Sequence, residues 1–319
     1  MPTVQEMKTP FNPDSHSRTK VVSMGHITEL ITCQKPTTGG CSIRKIDKDH
    51  YEDLRTGELK EYKHIENRSE SLKSIRHTLE RIRALINTNV TEPNNVRWVT
   101  LTYSENMTDT RRLYEDYFKF WKRFCYWCKK NGHGKPEYIT VQEPQGRGAW
   151  HIHAFFIWDT KAPFISNDEV MAKLWGHGFT KVKAMRECDN VGAYFSAYLG
   201  DMPLDEVEKL PDDEKSKALT SGQIDEKEFT DEQDRTKKKK FVKGGRLYLY
   251  PPGMNIVRST KGIKQPEVEI MTHAEAKEKV RSAKQTFSRA YEILGDDGEV
   301  INRICKSYYN ARRIQKQEE

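Results

Sequence analysis

The sequence predicts an α+β fold, and three observations predict it. Two segments, Trp98 to Tyr103 and Trp150 to Trp158, are rich in β-branched and aromatic residues, as strands are. Other segments place apolar residues three, four and seven apart, as amphipathic helices do. Between residues 98 and 199 the two kinds alternate in the order β-α-β-β-α-β. That order matches the ferredoxin-like (split βαβ) arrangement, an antiparallel sheet with flanking helices. Helical extensions are expected at both the N- and the C-terminal end.

Taken in order, residues 1–25 are polar with scattered prolines and read as mobile. From Glu61 to Asn87, the spacing of Ile65, Leu72, Ile75, Leu79, Ile82 and Ile86 predicts an amphipathic helix. It is broken by the cluster from Glu92 to Asn95. Strands are expected at 98–103, 137–142, 150–158 and 178–183. Helices are expected at 109–130, 167–175 and 190–199. In the split βαβ order the first and third strands lie side by side, so 98–103 should border the histidine-bearing strand 150–158. The helix 190–199 should close over one face. Residues 201–234 read as an acidic insertion or flap, and Arg246 to Tyr250 as a further strand. Thr272 and Glu275 form a capping-box pattern that starts a helix. Residues 273–316 read as helical with a break at Gly295–Gly298. The expected division is an N-terminal extension (1–95), a core (96–200), an acidic-then-basic insertion (201–245) and a strand with a helical region (246–319).

With 319 residues the chain can bury a sizeable core plus an appendage. Charged residues make up 32%, and mean hydropathy is −0.86. No signal peptide is expected at the start, and no stretch approaches the apolar length that spans a bilayer. The six cysteines (Cys33, Cys41, Cys125, Cys128, Cys188 and Cys305) are scattered, which points to a reducing cytoplasm rather than a disulfide framework. Net charge is +7, unevenly spread. Residues 205–234 hold twelve acids against four lysines, leaving +15 on the rest. A basic body favours a polyanionic partner.

The candidate chemistry begins at Trp150-His-Ile-His-Ala-Phe-Phe156. Residues two apart in a strand share a face, so His151 and His153 can serve one metal ion. Glu143 ends the preceding strand, just before a glycine-containing turn that brings the chain back. Two imidazoles and a carboxylate form an open coordination shell that suits a divalent cation polarising a phosphate. Alternation along the strand leaves Gln142 as the alternative third ligand. Cys125 and Cys128 fill the apolar face of an aromatic helix and lack a second pair for zinc. His177 reads as a turn residue.

Tyr194 and Tyr198 lie four apart in a helical segment and so share a helix face. A phenol with a pKa near 10 is a poor nucleophile by itself. Beside a divalent cation that withdraws charge from a scissile phosphate, it can attack to give a covalent phosphotyrosine and a free hydroxyl on the other DNA end. A second tyrosine allows a second transfer, without ATP.

These residues resemble the HUH endonucleases, and within them the two-tyrosine branch of rolling-circle replication initiators from phages, plasmids and integrative elements. Three stretches carry the resemblance: Trp98 to Tyr103; Glu143 with Gly148 to Phe156; and Asn190-Val-Gly-Ala-Tyr-Phe-Ser-Ala-Tyr-Leu199. Leu174 to Phe179 fits the turn and strand before the last of these. The likeness spans roughly residues 96–200, with Arg246 to Gly262 as a flanking piece. It implies a site-specific single-strand DNA endonuclease and strand transferase that initiates rolling-circle replication of a mobile element in a bacterial cytoplasm. It further implies Glu143, His151 and His153 on magnesium or manganese, with Tyr194 and Tyr198 as nucleophiles. Ala197 stands where such proteins usually carry a lysine, so basic help would come from Lys181, Lys183 or the Lys237–Lys240 run. A relaxase or single-strand transposase on the same scaffold, and a noncatalytic origin-binding protein, are the alternatives.

Single-stranded or hairpin origin DNA would be the partner, with host helicase and polymerase acting after it and no membrane involved. Single strands are held by basic grooves with aromatic faces for stacking. Thr102, Trp150, Lys181, Lys183, Arg246, Arg258 and Lys261 are the candidates for DNA contact, with Phe155, Trp158 and Lys264 beside them.

Overall fold

The computed structural model describes residues 3–8, 11–35, 43–54, 56–62, 72–145, 148–185, 190–219, 224–230, 236–242, 244–251, 254–295 and 297–314. The chain divides into two compact units, Met1–His64 with Gln265–Glu319, and Ile65–Lys264.

The first 64 residues contribute strands β1 (Thr3–Glu6), β2 (Arg18–Met24), β3 (Ile27–Cys33), β4 (Ile43–Lys45), β5 (His50–Asp53) and β6 (Glu58–Glu61). The second unit then follows. It comprises α1 (Leu72–Asn89), β7 (Val96–Thr102), α2 (Thr110–Lys130), β8 (Glu137–Pro144) and β9 (Trp150–Ile157). After a π turn at Asn167–Met171 come α3 (Ala172–Trp175), β10 (Thr180–Ala184) and α4 (Val191–Gly200). It ends with β11 (Met202–Pro203), α5 (Leu204–Val207), α6 (Asp212–Leu219), β12 (Ile224–Thr230), β13 (Thr236–Val242) and β14 (Val257–Ser259). The chain finishes with β15 (Glu267–Thr272), α7 (His273–Lys279), β16 (Ala283–Leu294) and β17 (Val300–Ile314).

The central sheet of the second unit has the order β10-β7-β9-β8-β14, antiparallel throughout. The first and third strands expected from the sequence are therefore neighbours. One face carries Val99, Leu101, Ile152, Ala154 and Phe156 and is covered by α2. Asp109 caps that helix by accepting from the backbone N–H groups of Arg111 and Arg112, at 2.8 and 3.2 Å. Such a cap is worth about 1 kcal/mol. Phe120 and Phe124 of α2 lie fully buried against Phe156, each contributing roughly 2–3 kcal/mol of apolar transfer. The other face carries Trp98, Thr100, His153 and Phe155. Here α4 packs, with the Phe195 ring against all three rings of that set. A mixed α+β fold with antiparallel sheets is thus present.

Several expectations are corrected. Helix α1 begins at Leu72, while Glu61 closes a strand and residues 63–71 lie outside the described residues. The N-terminal 25 residues are not simply polar and mobile, because β2 buries Val21, Val22 and Met24 and turns at Gly25 (φ 61°) into β3. The acidic stretch holds α5, α6 and β11–β13, where Met202, Val207, Ala218 and Val242 form a small core. Arg246–Tyr250 is not a strand. After Gly244 (φ 69°) the chain makes a 3-10 turn at Leu247–Leu249.

The largest correction is at the C-terminal end. The capping box of Thr272 and Glu275 does start a helix, but α7 stops at Lys279. Residues 283–314 form the strands β16 and β17, and Gly295–Gly298 is their hairpin turn rather than a helix break. These strands complete a sheet of order β1-β16-β17-β3-β2-β15. The N- and C-terminal extensions are therefore one sheet-based unit, not separate helical additions. β16 and β17 pair with each other, and their outer edges are completed by β1 and β3 from the opposite end of the chain.

Candidate metal centre

Cross-strand register builds the site. Glu143 of β8 stands directly opposite His151 of β9, and Val141 opposite His153. Paired residues in an antiparallel ladder project to the same face. Glu143 therefore shares the histidine face without any bend in its strand. Gln142 pairs with Ile152 and faces the α2 side, so it is not the third ligand.

Ligand atoms of Glu143, His151 and His153 all lie within 4.8 Å of one another. His153 Nε2 is 2.5 Å from Glu143 Oε2, and both side chains are almost wholly buried. Thr100, opposite His153 on β7, has its hydroxyl oxygen 3.3 Å from His153 Nδ1. With the proton on Nδ1 and donated to that oxygen, Nε2 keeps its lone pair as a ligand atom; with the Thr100 hydroxyl donating to Nδ1 instead, Nε2 carries the N–H that donates to the carboxylate. The second oxygen of Glu143 is held by Arg246 Nη1 at 2.5 Å. Two imidazoles and one carboxylate on adjacent strands are a donor set that could hold a divalent metal ion.

The helix α4 packs on this face at His153. Its Phe195 ring lies 5.5 Å from the His153 ring. Tyr194 and Tyr198 occupy positions in this helix on either side of Phe195. Their side chains lie outside the described residues. The helix is seated by α1: the Asn87 side chain accepts from Gly192 N–H at 2.9 Å and donates to Asn190 at 3.0 Å.

The residues expected at DNA separate into groups. Lys181 pairs with Thr100 and Lys183 with Trp98, so both lie on the metal-centre face, on the edge strand of the sheet, and both are exposed. Lys183 Nζ also lies 5.7 Å from the centre of the Trp98 ring. Thr102 pairs with His151 in the same row. Phe179, whose carbonyl accepts from Thr102 N–H, is 78% exposed beside this row. Arg258 pairs with Thr140 and stacks over Tyr114 of α2, 3.6 Å from the ring centre, on the opposite face. Lys261 lies in an exposed turn. Trp150 is corrected from a stacking platform to a core residue, 2% exposed, its indole N–H donating to Thr108 O at 3.0 Å. Phe155 and Trp158 are likewise buried. Arg246 is engaged with Glu143 and Glu206 rather than presented to solvent. Of the Lys237–Lys240 run, the side chains of Lys237, Lys238 and Lys239 lie outside the described residues.

His177 lies in the bend between Gly176 and Gly178, 3.6 Å from Asp116, away from the triad. Cys128 is buried on α2 and Cys125 is beside it, both free thiols. Thr100, Phe195 and the Glu143–Arg246 pair have no marker in the sequence. Only the ladder register could have exposed Thr100. No helix among the described residues is long and apolar enough to cross a membrane.

Residues 96–202, about a third of the chain, match the family model described as replication-associated protein ORF2/G2P. The matched span runs from β7 to β11 and contains the triad and α4. Neither the curated proteins nor the solved structures give a significant match.

Proposed function

From that match and this geometry we propose that the chain nicks and rejoins single-stranded DNA through a covalent phosphotyrosine intermediate. In this reading it initiates rolling-circle replication of a mobile element, on a split βαβ core of the HUH type and the two-tyrosine branch. The observation that carries the reading is the packing of α4, which bears Tyr194 and Tyr198, across the face that holds Glu143, His151 and His153.

A divalent cation held by the triad would withdraw charge from a scissile phosphate and orient it. The protein's own groups supply the rest. The hydroxyl oxygen of Tyr194 or Tyr198 bonds to phosphorus as the bond to the departing deoxyribose oxygen breaks. The phenol proton is balanced by the proton that oxygen gains. The second tyrosine can then take the strand in a further transfer. Lys181 and Lys183, on the same sheet face, are positioned for phosphates, and Phe179 for a base. Single-stranded or hairpin origin DNA is the substrate, and host helicase and polymerase extend the freed end.

The test is incubation of the whole protein with an origin-derived single strand and manganese. A protein–DNA adduct resistant to denaturant, present in wild type and absent when Tyr194 and Tyr198 are both phenylalanine, supports the reading. Absence of any adduct with retained sequence-specific binding supports a noncatalytic origin-binding protein. One observation favours that second reading: both oxygens of Glu143 are already satisfied, by His153 and by Arg246.

A further inference from the structure

Arg246 contacts three separate parts of the second unit. Nη1 donates to Glu143 Oε1 at 2.5 Å, and Nη2 donates to Glu206 Oε2, on α5, at 3.1 Å. Nε donates to the carbonyl of Asp201, the residue after α4, at 3.1 Å. Its backbone N–H donates to the carbonyl of Gly200, the last residue of α4, also at 3.1 Å. Gly244 N–H closes the loop onto Asp201 Oδ1 at 3.2 Å. The Arg246 side chain is 11% exposed and that of Glu143 only 1%.

These contacts link two things the reaction needs in fixed relation. Glu143 is one end, a candidate metal ligand. The C-terminal end of the tyrosine-bearing helix is the other. We propose that Arg246 is a positioning residue that couples the Glu143 carboxylate to α4, so that cation binding and nucleophile placement are mechanically joined. The inference rests on the metal reading above.

The chemistry of the side chain supports it. A planar guanidinium has donors in a fixed fork and can address a carboxylate, a second carboxylate and a carbonyl at once. A lysine ammonium would satisfy these contacts with a single point charge and no fork. Arg246 also decides how Glu143 can bind. With Oε1 committed to the guanidinium, Oε2 is the oxygen that faces His153 and would be the one available to a cation. Glu206 helps retain the guanidinium when a second positive charge arrives nearby. A force on Glu143 is then carried through Arg246 to the carbonyls of Gly200 and Asp201.

Hydrogen exchange of the full chain, with and without manganese, tests the coupling without relying on activity. In wild type, manganese should slow exchange across residues 191–200 by about tenfold, the scale of one charged hydrogen bond. Arg246→Ala should still bind manganese in calorimetry, within about tenfold of wild type, yet lose that slowing. Arg246→Lys should bind manganese and recover less than half of it. Retention of the full slowing in Arg246→Ala overturns the proposal. Should Arg246→Ala fail to fold, Glu206→Gln loosens the same guanidinium from outside the metal centre, and unchanged slowing there overturns the proposal equally. Should wild type bind no manganese, the metal reading itself falls. The tie is then read in metal-free protein, where Arg246→Ala must accelerate exchange of 191–200, and unchanged exchange removes the tie as well.

Discussion

Thr100 stands directly across the ladder from His153, with its hydroxyl oxygen 3.3 Å from Nδ1. This contact restrains the ring's rotation, with Nε2 toward Glu143. Partners of this kind typically contribute 10–100-fold to metal affinity. Thr100→Val keeps the shape and removes the hydroxyl partner. Its manganese dissociation constant, measured by titration calorimetry, is expected to rise by about 10-fold or more, with little change in thermal midpoint. An unchanged constant would remove Thr100 from the site.

Gly192 sets how closely α4 approaches α1. A Cβ there would lie 2.5 Å from the Arg83 carbonyl oxygen and 2.8 Å from Asn87 Oδ1. The first neighbour is backbone and cannot swing away. Gly192→Ala is therefore expected to destabilise the second unit by about 1–3 kcal/mol, read from urea unfolding. A neutral or stabilising result would mean that the helix pair is looser than described.

Burial pushes the Cys128 thiol up to about 12, with the neighbouring Cys125 adding to it. At a pH of about 8 almost none of it is thiolate, the reactive form. In the folded protein Cys128 should stay unmodified by an aromatic disulfide reagent, and should react when denaturant is added. Rapid labelling of Cys128 in native conditions, mapped by peptide mass, would contradict the packing of α2.

His273 in the first unit is held below its ordinary value of 6.5, chiefly by burial and then by Lys277. Its ring nitrogen lies 3.1 Å from the Thr32 hydroxyl. Because the folded state disfavours the protonated ring, the unfolded chain binds more protons just below that value. Stability from this group is full above about 6.5 and is lost as pH falls toward the folded value. His50, beside Asp47, is raised and carries the opposite sign. The thermal midpoint of wild type should therefore fall more between about pH 7.5 and 5.5 than that of His273→Gln. Parallel curves for the two proteins would rule out this contribution.

Local signals were legible in the sequence. Thr272 with Glu275 before α7 form a cap that acts within one turn, and it operates as the residue types imply. The pairing of His151 with His153 on one strand face is equally local. The choice between Gln142 and Glu143 was not, because alternation within one strand says nothing about which face of its neighbour it meets. The Glu143–His151 register decides it. Residues 283–314 misled for a related reason. Their apolar residues fit a helix or a strand, and β1 and β3, which pair with them, lie at the other end of the chain.

What the amino-acid order determined by itself was therefore the chemistry on offer: two imidazoles one pleat apart, an acid at a strand end, and two phenols one helical turn apart. What only the tertiary structure decided was the company those groups keep. Arg246 reaches Glu143 across 103 positions of sequence, and Phe195 brings α4 onto His153. Such contacts arise from long-range packing and hydrogen-bond satisfaction, which no short window of sequence contains.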